Sequence, residues 1–201
     1  MNNTIFDNIN RLVREKDELY ILGDCLLPFD KQHWKKSFQW MKDQINCKNI
    51  SLIVGNHDPK LKNGLPKKEL DCFFDQVVIS LMLKDHETNT EMWLSHYAHR
   101  VWPKSHFNSI HLYAHSHYTL PDNPNTLSLD IGIDAVAGRK TGYTYEELEN
   151  NNLFYLLKPE NYKPITFKEI TDLLLHKKRK TSNKSFLKKL FSFKEKFKGK
   201  K

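Results

Sequence analysis

Four places in this 201-residue chain set metal-compatible side chains directly behind a short apolar run. ELYIL hands over to Gly23-Asp24, SLIV to Gly55-Asn56-His57-Asp58, MWL to Ser95-His96, and HLY to Ala114-His115-Ser116-His117. A carboxylate, an amide oxygen and imidazoles together suit a borderline or hard divalent cation such as Mn, Fe or Zn. A glycine ahead of Asp24 and of Asn56 fits a tight turn that brings backbone close to an ion. Singly these signals are common: Gly-Asp behind a strand is usually a plain turn, and His-x-His is usually a surface pair. Gly-Asn-His-Asp is more specific, because three polar groups behind a buried run need partners. The ordered set of four carries the inference.

Such side chains meet only if the apolar runs are strands whose carboxyl ends share one edge, the edge where open α/β sheets bind ligands. Residues 3–16 read as a helix with Ile5, Ile9, Leu12 and Val13 on one face. A strand over 18–24 follows, then a helix over 30–46 with Trp34, Phe38, Met41 and Ile45 in line, then a strand over 49–56. The Lys-rich stretch 59–72, with Pro59, Gly64 and Pro66, reads as loop with a short helix. QVVISLMLK (76–84) and TEMWLSH (90–96) read as a strand pair, and 109–115 and 126–134 as further strands. Short helices are predicted at 144–150 and 166–176. Helix–strand alternation followed by a run of strands predicts an α/β layered fold with mixed sheets flanked by helices.

Bulk properties are consistent with one such domain. Apolar residues make up 39% of the chain, enough for a real core. No stretch approaches the length of a membrane helix, and the N-terminus lacks a secretory pattern. The three cysteines, Cys25, Cys47 and Cys72, are odd in number and scattered, which argues against a disulfide framework and for a cytoplasmic setting. They are expected to be buried apolar fillers. The net charge of +8 is misleading as a whole. From Lys177 onward there are twelve Lys or Arg against the single acid Glu195, so residues 1–176 are mildly acidic and 177–201 form a basic tail. That tail carries Phe186, Leu190, Phe193 and Phe197 at helical spacing. It is expected to be flexible or conditionally helical, and to be either a solvated, solubilising tail or a contact for nucleic acid, an anionic membrane surface or an acidic partner.

The order GD, GNHD, H and a GHxH-like pair resembles the calcineurin-like metallophosphoesterases over about residues 18–135. LSHYAHRVW leading to LYAHSH and SLDIGID is similar to their small bacterial and phage members. The resemblance implies a β-sandwich flanked by helices, two divalent metals, and hydrolysis of a phosphomonoester or phosphodiester by a metal-activated hydroxide. It further implies that Asp24 bridges the metals, that Asn56, His96 and His115 complete one of them, and that His117 serves the other. His57 would touch the phosphate and protonate the leaving oxygen, with Asp58 orienting it. His99 and Arg100 are weaker candidates for phosphate contact, and Trp102 for packing beside the site.

Two departures stand out. The family opens with Asp-x-His ahead of its GD motif, and none occurs in the 22 residues before Gly23. Either a first strand and loop of roughly 20–40 residues is missing, or the chain is complete and degenerate; the retained GNHD and AHSH favour the first. On either account the chain as given is expected to show little or no two-metal activity. The alternative function is a non-catalytic scaffold binding one metal or a phosphorylated ligand. The second departure is Ala114 where the family has glycine, which is harmless unless φ is positive. His33, His86, His106 and His111 are expected to be structural or solvated. Asp130 and Asp134 are read as turn and edge residues rather than ligands.

Overall fold

The computed structural model describes residues 2–26, 33–87 and 89–174. Two sheets form its frame. The first has the order β1 (Glu18–Ile21), β2 (Asn49–Ile53), β3 (Gln76–Val78) and is wholly parallel, with Leu19 opposite Ile50 and Leu52 opposite Val77. The second has the order β4 (Ser80–Asp85), β5 (Thr90–Ser95), β6 (Ile110–Tyr113), β7 (Ser128–Asp130). There β4 and β5 are antiparallel while β5, β6 and β7 run parallel, so only this sheet is mixed.

Strand alternation divides the apolar residues between two cores. Leu19 and Ile21 of β1, and Ile50 and Leu52 of β2, face α1 (Asn2–Leu12) and α2 (Trp34–Gln44) in one cluster built around Trp34, Phe38, Met41 and Ile45. Tyr20, Leu22, Ile53 and Val78 point the other way, into a cluster with Met92, Leu94, Ile110, Leu112 and Leu129 of the second sheet. Ile170 and Leu174, from a helical stretch over 167–174, join that second core. The architecture is therefore mixed α/β, two sheets flanked by helices.

Some boundaries differ from expectation. The α2 stripe packs as its spacing predicts, with Trp34, Phe38, Met41 and Ile45 all buried. On α1 the inward face is Phe6 and Ile9, continued by Val13, while Leu12 is exposed; the buried Asn8 donates to the Pro159 and Tyr162 carbonyls at 3.0 and 2.9 Å. QVVISLMLK is not one strand. It breaks at the exposed Ile79 and feeds both sheets, β3 in the first and β4 in the second. The predicted strand 126–134 stops at Asp130, and the chain enters α3 (Ile133–Thr141) behind Gly132. The following α4 (Tyr145–Asn150) starts with a Thr144–Glu147 capping box. The tail 177–201 and its amphipathic stripe lie outside the described residues. No helix among the described residues is long and apolar enough to cross a membrane.

Candidate metal centre

The chain leaves β1 through Leu22, Gly23 at φ +86° and Asp24 at φ +53°. That left-handed geometry suits glycine and is strained for aspartate. The exit from β2 passes directly beneath it. A Cβ placed on Gly23 would lie 2.5 Å from the Gly55 nitrogen and 2.7 Å from His96 Nδ1; one placed on Gly55 would lie 2.2 Å from Asp24 Oδ1. Two bare backbones thus pass in contact, and the space their side chains would take is filled by functional groups.

Asp58 fastens these turns together. Its Oδ2 accepts from the amides of Asp24 (2.9 Å) and Gly55 (2.8 Å), and the Cys25 thiol lies 3.7 Å from its Oδ1. The expectation that Asp58 orients the His57 ring is corrected: its oxygens are engaged by backbone and thiol on the buried side of the loop. Burial pushes the Asp58 carboxyl up, the two amide bonds oppose it, and the net value lies above the ordinary range. Burial and the Asp58 charge likewise push the Cys25 thiol up. Cys47 is buried, but Cys72 is exposed and fills no core.

The second sheet brings two imidazoles to the same point. His96 follows β5 and is buried; its carbonyl accepts from the amides of Ala114 (3.1 Å) and His115 (2.9 Å), which locks the β5 and β6 exits together. His96 Nδ1 lies 2.7 Å from the Leu22 carbonyl, across the gap between sheets. A carbonyl can only accept, so Nδ1 carries the proton, and a neutral ring presents a bare lone pair at Nε2. That nitrogen faces Asn56 Oδ1 at 2.9 Å, His115 Nδ1 at 3.0 Å and Asp24 Oδ2 at 3.2 Å. Four electron-pair donors meet with no surplus of protons. One proton on Nε2 could satisfy one neighbour at a time, whereas a divalent ion satisfies all four. The spacing fits: donors each about 2.1 Å from a shared ion lie roughly 3.0–3.4 Å apart at octahedral or tetrahedral angles. Fixing of the far imidazole nitrogen by a carbonyl is the usual support of a metal-binding histidine. The acid, histidine and cysteine side chains that cluster this way among the described residues are Asp24, His96 and His115.

Electrostatics reflect this crowding. Burial pushes Asp24 up, but bonds from His96 and the His57 amide (2.7 Å to Oδ1) outweigh it and hold the carboxyl below its usual range. Burial pushes His96 down, but Asp24 and the Leu22 carbonyl raise it above the ordinary histidine value. His115 is lowered by burial and then by His96.

The side chains of the remaining candidates do not join this group of four. The His57 ring is exposed and carries no hydrogen bond among the described residues. His117 does not join the cluster: it is left-handed (φ +46°), and its Nδ1 is held 2.7 Å from Asp134 Oδ2 on α3. Ala114 is outside the left-handed region, so its methyl is accommodated. His99 and Arg100 are exposed, and the His99 amide donates to His111 Nε2 at 2.9 Å. Trp102 is buried against the His111 ring, with centroids 5.3 Å apart. Asp130 ends β7, the outer strand of its sheet, and acts as a turn residue as expected, but it is fully buried: it accepts from the Tyr118 amide (3.0 Å) and the Gly132 amide (2.9 Å), shaping the loop that carries His115 and His117. The strand-end pattern could have flagged Asp130, since β7 closes on it. Tyr97, whose ring lies 4.5 Å from that of His115, had no metal-ligand signature to reveal it.

His111 supplies a pH-dependent element apart from the cluster. Its Nε2 accepts the His99 amide and its Nδ1 faces the Trp93 carbonyl at 3.2 Å, so the buried ring is neutral. Burial lowers its pKa to about 4. Between its unfolded value near 6.5 and this folded value the unfolded chain binds the extra proton. The stabilisation is therefore complete above pH ~6.5 and lost as pH falls toward 4, by up to roughly 3 kcal/mol. Asp58 and Asp130, both raised by burial, act in the opposite sense. Urea unfolding of metal-free wild type against His111→Phe isolates the histidine: the difference in unfolding free energy should shift by about 2–3 kcal/mol from pH 7 to 4.5.

Comparison with protein-family models, curated proteins and solved structures finds no match to this chain.

Proposed function

We propose that the chain is a metal-dependent phosphoesterase of the calcineurin-like kind, centred on one ion held by Asp24, Asn56, His96 and His115. The observation that carries this reading is His96: Nδ1 pinned to the Leu22 carbonyl, Nε2 aimed at three further donors. A divalent ion held by these four residues would supply Lewis acidity toward a phosphoryl oxygen and a water molecule. The chain's own groups do the rest. Asp24 contributes the negative charge that retains a cation, and its strained backbone is held by Asp58. His57, exposed beside the cluster with its amide tied to Asp24, is free to meet a leaving oxygen and give it a proton. His99 and Arg100 remain candidates for contact with the ester.

A second reading is a scaffold that binds one ion and a phosphate without turnover. It is favoured by the capture of His117 by Asp134, which leaves the cluster with a single ligand set. Hydrolysis of bis(p-nitrophenyl) phosphate and p-nitrophenyl phosphate by the Mn-loaded full chain separates the two. Turnover abolished by EDTA and reduced about 10²–10⁴-fold in His57→Ala, with Mn stoichiometry retained, is the expected result. One bound Mn with no turnover of either ester establishes the scaffold, and no bound Mn sinks both readings.

A further inference from the structure

The segment between β5 and β6 departs directly from His96 and presents an unusual surface. Residues 97–109 contain Arg100, Lys104, His99 and His106 and no acid. Tyr97 is 48% exposed, Val101 68% and Phe107 81%. This is not a collapsed loop. Trp102 anchors it, its indole nitrogen donating to the Ser109 carbonyl and hydroxyl at 3.1 Å each, and the Ser109 hydroxyl donates in turn to the Pro103 carbonyl at 2.6 Å. Lys104 pairs with Glu91, and Lys104 and Asn108 hold left-handed turns on either side of a short 3₁₀ segment. The apolar and cationic side chains are thus held outward by a fixed backbone.

Tyr97 stands where this surface meets the candidate ion site. Its carbonyl accepts the buried Ser95 hydroxyl at 2.8 Å, which fixes the residue. Its ring rests against His115 (centroids 4.5 Å apart) and meets the His96 ring edge-to-face (5.0 Å). About half of the side chain's surface remains open to solvent, beside the place where a bound phosphate would lie. An aromatic ring interleaved with cations along an acid-free segment is the combination that binds nucleobases and their phosphates.

We infer that the ester is a nucleoside phosphate, its phosphate at the ion and its base stacked on Tyr97, with Arg100 attending further phosphates. The inference rests on the phosphoesterase reading and specifies its substrate class. The shared chemistry covers a free nucleotide and a single-stranded nucleic acid.

Calorimetry on the Mn-loaded full chain tests it, with AMP, ribose 5-phosphate, phosphotyrosine and inorganic phosphate as probes. AMP should bind about tenfold more tightly than ribose 5-phosphate, the scale of one base–aromatic stack. Tyr97→Ala should bring that ratio close to one, while Tyr97→Phe, which keeps the ring, should retain it. Equal binding of AMP and ribose 5-phosphate overturns the inference, as does a preference that survives Tyr97→Ala, or phosphotyrosine binding as tightly as AMP. Mn-dependent phosphate binding without preference for AMP defeats this inference alone; failure of every probe to bind defeats the phosphoesterase reading with it. A short oligothymidylate resolves the source. Binding more than tenfold tighter than AMP, weakened by salt and by Arg100→Ala, identifies a strand; affinity equal to that of AMP identifies the free nucleotide.

Discussion

Replacing His96 with alanine should lower Mn affinity by more than about 100-fold, measured by calorimetry on metal-free protein at pH 7.5. The scale follows from how much converges on one ring. Nε2 lies within 2.9–3.2 Å of Asn56 Oδ1, His115 Nδ1 and Asp24 Oδ2. Its removal deletes a ligand and also the contact that keeps the others in register. The same change strips the Leu22 carbonyl of its partner in a buried position and leaves a void, so the metal-free fold should lose about 2–4 kcal/mol. His86→Ala, on an exposed turn, serves as the control and should leave both quantities unaltered. Acid should reproduce part of the effect in the wild type. Despite its burial, His96 is held above the ordinary histidine pKa by Asp24, so below that value a proton competes for Nε2 and affinity should fall about tenfold per pH unit. Mn affinity in His96→Ala within a few-fold of wild type would remove the basis for the metal centre.

Gly55→Ala is the second large effect, and it reaches the same site without replacing a donor residue. Gly55 is not left-handed, so alanine can adopt its backbone; the obstacle is space. The added methyl would sit 2.2 Å from Asp24 Oδ1 and 2.7 Å from the Asp24 nitrogen, displacing the carboxylate and the amide bond to Asp58 together. A loss of about 2–4 kcal/mol is expected, lowering Tm by roughly 5–12 °C, with Mn affinity reduced at least tenfold. Gly64→Ala provides the contrast. Its φ of +84° makes alanine strained, but nothing lies within 4 Å of the added methyl. It should cost only about 1 kcal/mol and leave Mn binding intact. Equal effects from the two substitutions would mean that the clash at Asp24 relaxes away.

The strand-end pattern was legible because it depends on local chemistry: an apolar run followed by polar ligands reads the same in sequence as in space. It identified Asp24, Asn56, His96 and His115 as residues that meet, and the α2 stripe from Trp34 to Ile45 as a core face. What it could not supply was direction. Asp58 looks identical in sequence whether it faces His57 or turns under the loop, and only the amides of Asp24 and Gly55 decide. The division of QVVISLMLK between two sheets was equally hidden, since β3 and β4 share one apolar composition and the break at Ile79 has no glycine or proline to mark it. Asp134 was misplaced because 126–134 alternates like a strand, whereas Gly132 starts a helix that carries Asp134 toward His117. Tyr97 carries no signal in the sequence because its meaning comes from neighbours reached through folding.

The crossover at Ile79 divides the candidate donors evenly. Asp24 and Asn56 lie ahead of it, behind strands of the first sheet, and His96 and His115 lie after it, behind strands of the second. Neither half supplies more than two of the four donors, so the full ligand set exists only when the two sheets are packed in register.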